Sequence, residues 1–164
     1  MLKKCLAALV MVGLIASVAF AAEEFDWAKE QVGKLHYGLS AKEVKQIIPG
    51  QSNRGAEEKW GADGLYHQEW KYSGAGITLG MVSEKKGGPK SIERITITSP
   101  SKLQTQRGIG IGSTEAEVVK AYGQFRNVED STPEHFVVGS NFGGVIFNFQ
   151  QGRVNNIFIG AAAE

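Results

Sequence analysis

Gly108, Gly110 and Gly112, spaced by two and followed by Ser113 and Thr114, are the residues whose types and spacing most invite chemistry. A glycine-rich loop opening a helix can aim backbone N–H groups at a phosphate, helped by the positive end of the helix dipole. The nucleotide-hydrolase version needs a lysine directly after its last glycine, where this chain has Ser113. The dinucleotide version needs G-x-G-x-x-G inside a parallel strand–helix–strand unit, and here the last spacing is wrong. The segment therefore reads as the approach to a helix cap.

Other reactive side chains are dispersed. His67 and Glu69 share one strand face at i, i+2 and could chelate, but zinc asks for three or four such ligands. His36 and His135 fall in separate segments, and no H-x-x-x-H is present. Ser73, Ser131 and Ser140 have no base assigned by spacing, which a serine nucleophile requires. Glu57-Glu58 and Glu129-Asp130 read as solvated loop carboxylates. No catalytic residue, metal ligand or cofactor is expected.

The elements that must position these residues come from an internal repeat. A single gapless shift places Leu35 on Ile109, Gly38 on Gly112, Ser40 on Thr114, Glu43 on Glu117 and Val44 on Val118. Ser40 with Glu43, and Thr114 with Glu117, have the spacing of capping boxes. Val44, Ile47 and Ile48, like Val118, Ala121 and Tyr122, then form one apolar helix face. Pro49-Gly50 and Gly123 are expected to stop the two helices.

Three strand candidates follow each helix. Leu65–Tyr72, Gly76–Met81 and Ser91–Ile97 correspond to Glu134–Gly139, Gly144–Phe149 and Arg153–Ile159. The expected fold is α+β: two tandem helix–β-strand repeats in an antiparallel sheet with helices on one face. The first repeat takes residues 22–107, with "EEFDWAKEQV" as a short leading helix turning Phe25, Ala28 and Val32 inward. The second takes residues 108–164. By alternation, Tyr66, Trp70, Tyr72, Ile77, Leu79, Phe147 and Phe149 face the helices. The opposite face would show His67, Glu69, Lys71, Arg94, Thr96, Asn148, Asn156 and Phe158, a polar surface around one aromatic. Trp60, in the charged loop "AEEKWGADG", either tucks into the core or anchors a partner.

The G-x-S/T-x-x-E-V helix starts (Gly38, Ser40, Glu43, Val44; Gly112, Thr114, Glu117, Val118), Gly123 and the W-x-Y strand at Trp70 and Tyr72 resemble a known group. It comprises the β-lactamase inhibitor-like proteins and the related small outer-membrane assembly lipoproteins. The resemblance implies an exported, non-enzymatic protein that binds another protein through its sheet surface and loops. The lipid-attachment cysteine of the assembly lipoproteins has no counterpart here, since Cys5 precedes the apolar run.

Residues 1–21 read as a signal peptide: Lys3 and Lys4, then an apolar run, then Ala19-Phe20-Ala21. Cleavage after Ala21 would leave a periplasmic or secreted chain with no cysteine and no stable membrane anchor. Two of the 18 basic residues lie in this leader, so the mature chain is near neutral against 17 acidic ones. No basic stripe points to nucleic acid. The expected function is a non-catalytic module binding an unidentified protein of the cell envelope. A role in outer-membrane assembly or maintenance is the first alternative, and a small metal-dependent hydrolase the second.

Overall fold

The computed structural model describes residues 25–162, residue 141 excepted. The expected leader, its expected cleavage point and Cys5 lie outside the described residues. In chain order the elements are β1 (Gln31–Val32), β2 (Leu35–His36), α1 (Ala41–Ile47), β3 (Asn53–Arg54), β4 (Glu58–Lys59), β5 (Tyr66–Tyr72), β6 (Ile77–Ser83) and β7 (Ser91–Thr98). Then come α2 (Glu115–Tyr122), β8 (His135–Ser140), β9 (Gly143–Gln150) and β10 (Arg153–Gly160). The fold is α+β: an antiparallel multi-strand sheet with two short helices.

Both helices start on a reciprocal cap. The Ser40 Oγ accepts from Glu43 N at 3.3 Å while the Glu43 carboxylate accepts from Ser40 N at 3.0 Å. Thr114 and Glu117 repeat this at 3.3 and 2.7 Å. Such caps satisfy two of the N–H groups that a helix start leaves without partners. α1 gives way at Ile48, just before Pro49. Gly123 keeps helical angles and passes α2 into a 3-10 turn over Gly123–Phe125.

The large sheet has the order β3-β5-β6-β7-β10-β9-β8, with β4 also paired to β5. At its centre β7 and β10 run antiparallel, with Ile97 opposite Ile157 and Ile95 opposite Ile159. One buried cluster joins Val44 and Ile48 of α1, Val118 and Tyr122 of α2, and the inward row Trp70, Leu79, Ile95, Ile97, Phe147 and Ile157. The Tyr122 and Phe147 ring centres lie 4.9 Å apart. Burial of such side chains, at about 1.5–3 kcal/mol each, is what holds two short helices on the sheet.

The leading segment departs from the expected helix. It makes a single 3-10 turn, Trp27–Lys29, and then enters the β1–β2 hairpin, whose turn needs Gly33 at φ 61°. Val32 is fully buried, and Phe25 packs beside Tyr122 and Phe125. Glu57 is also not a solvated loop carboxylate. It pairs with Lys90 at 2.6 Å, both side chains largely covered, and accepts from Gly87 N. This ties the loop between β6 and β7 to the segment before β4.

Candidate functional site

The glycine loop presents no phosphate cradle. Gly108 N donates to Thr105 O, Gly110 N to Ser113 Oγ and Gly112 N to Val154 O, so each glycine N–H is spent inside the protein. Ser131 and Ser140 are likewise engaged in turn hydrogen bonds. Among the described residues no group of three or more His, Cys, Asp or Glu side chains is placed to hold a metal ion. No described helix is long and apolar enough to cross a membrane.

The sheet face turned away from the helices gathers the expected surface residues into two neighbouring depressions. His67, Arg94 and Trp60 line the first; Asn148, Asn156 and Phe158 line the second. Glu69 and Lys71 stand exposed on β5 and line neither.

The first depression is a cleft of about 310 Å³. Its floor differs from the expected wet strand face, because His67 is only 5% exposed. The turn after β4 folds over it: Trp60 stacks on the imidazole with ring centres 3.7 Å apart and an interplanar angle of 13°. Asp63, on the same turn, meets His67 Nε2 at 3.0 Å, and Glu93 of β7 meets Nδ1 at 2.9 Å. The Leu65 N–H and the neighbouring His67 hold the Asp63 carboxyl below its usual range despite partial desolvation. Trp60 is therefore half-buried as the lid of a polar cluster, with the Arg94 guanidinium 5.4 Å from its ring centre.

A bulge brings Glu93 and Arg94 to this one face. Arg94 pairs with Gly80 and Ile92 with Met81, leaving Glu93 as the extra residue. An extra residue breaks strict alternation and re-aims its side chain. The far wall carries Trp27 and Tyr37, packed edge to face at 5.1 Å.

The second depression, about 410 Å³, centres on Phe158 and Ile146. A polar ladder crosses its floor: His135 Nδ1 bonds the Asn148 amide oxygen, and Asn148 Nδ2 donates to Asn156 Oδ1 at 2.8 Å. These three residues occupy paired positions on β8, β9 and β10. Asp130 closes one side.

Sequence reasoning missed Trp27, Tyr37, Asp63 and Glu93 around the first depression and Asp130, His135 and Ile146 around the second. Trp27, Tyr37, Asp63 and Asp130 lie outside the long strands, where alternation has no reach. Glu93 left one trace: Ile92 and Ile95, both inward, are an odd number of residues apart, which only a bulge allows.

Among the described residues the two long flanking strands, β5 and β8, are bonded on their outer sides. β3 and β4 cover the outer side of β5. On β8, Val137 O accepts from Asn127 N, Val137 N donates to Ser131 Oγ, and Gly139 O accepts from Asn127 Nδ2. His135 exchanges backbone bonds with Thr132. Comparison of the chain with protein families, curated proteins and solved structures finds no match.

Proposed function

We propose that this chain is an exported, non-catalytic binding module that engages a partner protein through the open face of its sheet. The observation that carries the reading is the pairing of two depressions on that face, one walled by Trp27, Tyr37 and Trp60, the other centred on Phe158. Aromatic groups surrounded by fixed polar groups are the usual anchors of protein recognition. Because β5 and β8 are already bonded on their outer sides, a partner gains little by adding a strand there and must use side chains.

The tandem-repeat reading belongs to the same proposal, as does kinship with the inhibitor-like and assembly-lipoprotein group. Each helix is followed by a three-strand antiparallel run, β5-β6-β7 and β8-β9-β10, which meet at the β7–β10 seam. Both third strands are bulged at matching places: Glu93 after Ile92, and Asn155 after Val154. A shared irregularity is better support for duplication than shared apolar positions, which any sheet would select.

Cross-linked capture from a cell-envelope extract tests the binding reading. The same partner should be recovered by the wild type and by Lys42→Glu on α1. It should be lost with Phe158→Asp at unchanged thermal stability. Equal recovery by Phe158→Asp, or no partner with any variant, overturns it.

A further inference from the structure

Of the polar clusters on the molecule, the one around His67 is built like a catch rather than a docking point. The turn Trp60–Gly64 is internally complete: Trp60 N donates to Leu65 O, Gly64 N to Trp60 O, and Leu65 N to Asp63 Oδ1. It can therefore move as a unit. Its hold on the sheet face runs through the Trp60 stack on His67, the Asp63–His67 bond and the Arg94–Trp60 approach.

We propose that His67 is a proton-dependent latch that holds this turn across the open face and so sets the shape of the cleft that the turn walls. This inference deepens the binding reading, on which its biological consequence rests, while the latch itself is measurable without a partner.

Both ring nitrogens face carboxylate oxygens, at 3.0 Å to Asp63 and 2.9 Å to Glu93. Only an imidazolium can donate to both; a neutral ring keeps one N–H and turns a lone pair toward the other carboxylate. The two carboxylates are unequal. The Glu93 side chain is 19% exposed and that of Asp63 41%, so water can replace the ring at Asp63 far more readily. Loss of the proton thus releases the turn and leaves the Glu93 bond. Asp63, held below the usual carboxylate range, stays charged while this happens. The other charged groups facing the cluster are Arg94 on β7 and Glu58, the exposed cross-strand partner of His67 on β4; Val82 opposite on β6 is neutral. The turn is closed on the imidazolium and opens on the neutral ring.

The test follows the His67 ring nitrogens and the Trp60 indole N–H by NMR in wild-type protein between about pH 5 and 8.5, the span in which histidine switches matter. The two signals should titrate together, and amides 61–64 should exchange about tenfold faster in the open state, after correction for base catalysis. His67→Gln, which cannot become a cation, should show one Trp60 environment at every pH. A Trp60 signal that stays fixed while His67 titrates in the wild type overturns the latch, as does an unchanged Trp60 titration in His67→Gln. Should capture of the partner in an envelope extract be independent of pH while the turn moves, the turn's effect on binding is overturned and face binding stands. A working latch in a chain that captures nothing supports the latch and overturns the binding reading.

Discussion

Gly80 on β6 and Arg94 on β7 stand so close across the strand pair that a Cβ on Gly80 would fall 2.3 Å from Arg94 Cγ. The missing side chain lets the arginine cross the open face toward Trp60. Gly80→Ala must turn the whole Arg94 side chain away, because its Cγ and Cδ stand in the path, at a cost of about 1–3 kcal/mol. The visible result should be a changed Trp60 environment in near-ultraviolet circular dichroism or NMR. Gly76→Ala is the contrasting case. Gly76 has φ +64°, and its Cβ would meet Thr98 O at 2.2 Å, a backbone atom that cannot swing away. Urea denaturation should show a loss of about 3 kcal/mol.

Removing either helix cap should cost about 1 kcal/mol, so Ser40→Ala and Thr114→Ala are expected to lower the urea midpoint by similar amounts. The two caps sit on different helices and share no partner, so the double variant should be additive. Glycine at either position should cost only a few tenths of a kcal/mol.

Tyr122 carries a buried hydroxyl with no hydrogen-bond partner among the described residues; Thr105 and Glu30 stand near it without closing a bond. Tyr122→Phe removes the polar atom and keeps the ring against Phe147, so stability should hold or rise by about 1 kcal/mol. Burial raises the Tyr122 pKa above that of an unfolded tyrosine. Its contribution is therefore present in full below about pH 10 and fades as pH climbs toward the folded value. Thermal melts at alkaline pH should show a steeper decline for the wild type than for Tyr122→Phe.

On the acid side the sign reverses. The Lys90 ammonium, chiefly, and the Gly87 N–H hold Glu57 below the usual carboxylate range, outweighing its partial desolvation. A lowered folded pKa gives stability that is present above the unfolded value and lost as pH falls through the folded one. Glu43, Glu117 and Asp63 shift the same way through their cap and turn bonds. The melting temperature should fall between about pH 5 and pH 3. In calorimetry, Glu57→Gln should melt lower at neutral pH and lose less on acidification.

The parts of the fold legible in the sequence are those set by neighbours along the chain. Ser40 and Glu43 are three residues apart and cap one turn, so their roles need no tertiary knowledge. The inward rows of β5, β6 and β9 follow from alternation. His67 was misread because its burial comes from Trp60 and Asp63, on a turn whose path no local rule sets. Glu57 was misread because its partner, Lys90, arrives from a different hairpin. The leading segment has helix-compatible apolar spacing, but Gly33 allows a tight turn that pairs Val32 with Leu35. Strand pairing then outweighed a helix too short to be stable alone.

The seam between β7 and β10 also has a consequence for how the chain is made. β10 lies mid-sheet, between β7 and β9. The row from Arg153 to Gly160 must therefore be available before the two flanks can join. Until then the first flank has an open seam beside Ile95 and Ile97, and β9 lacks its inner neighbour. A nascent chain halted before Arg153 holds two separate sticky fragments, so assembly of the whole sheet waits for β10 to be made.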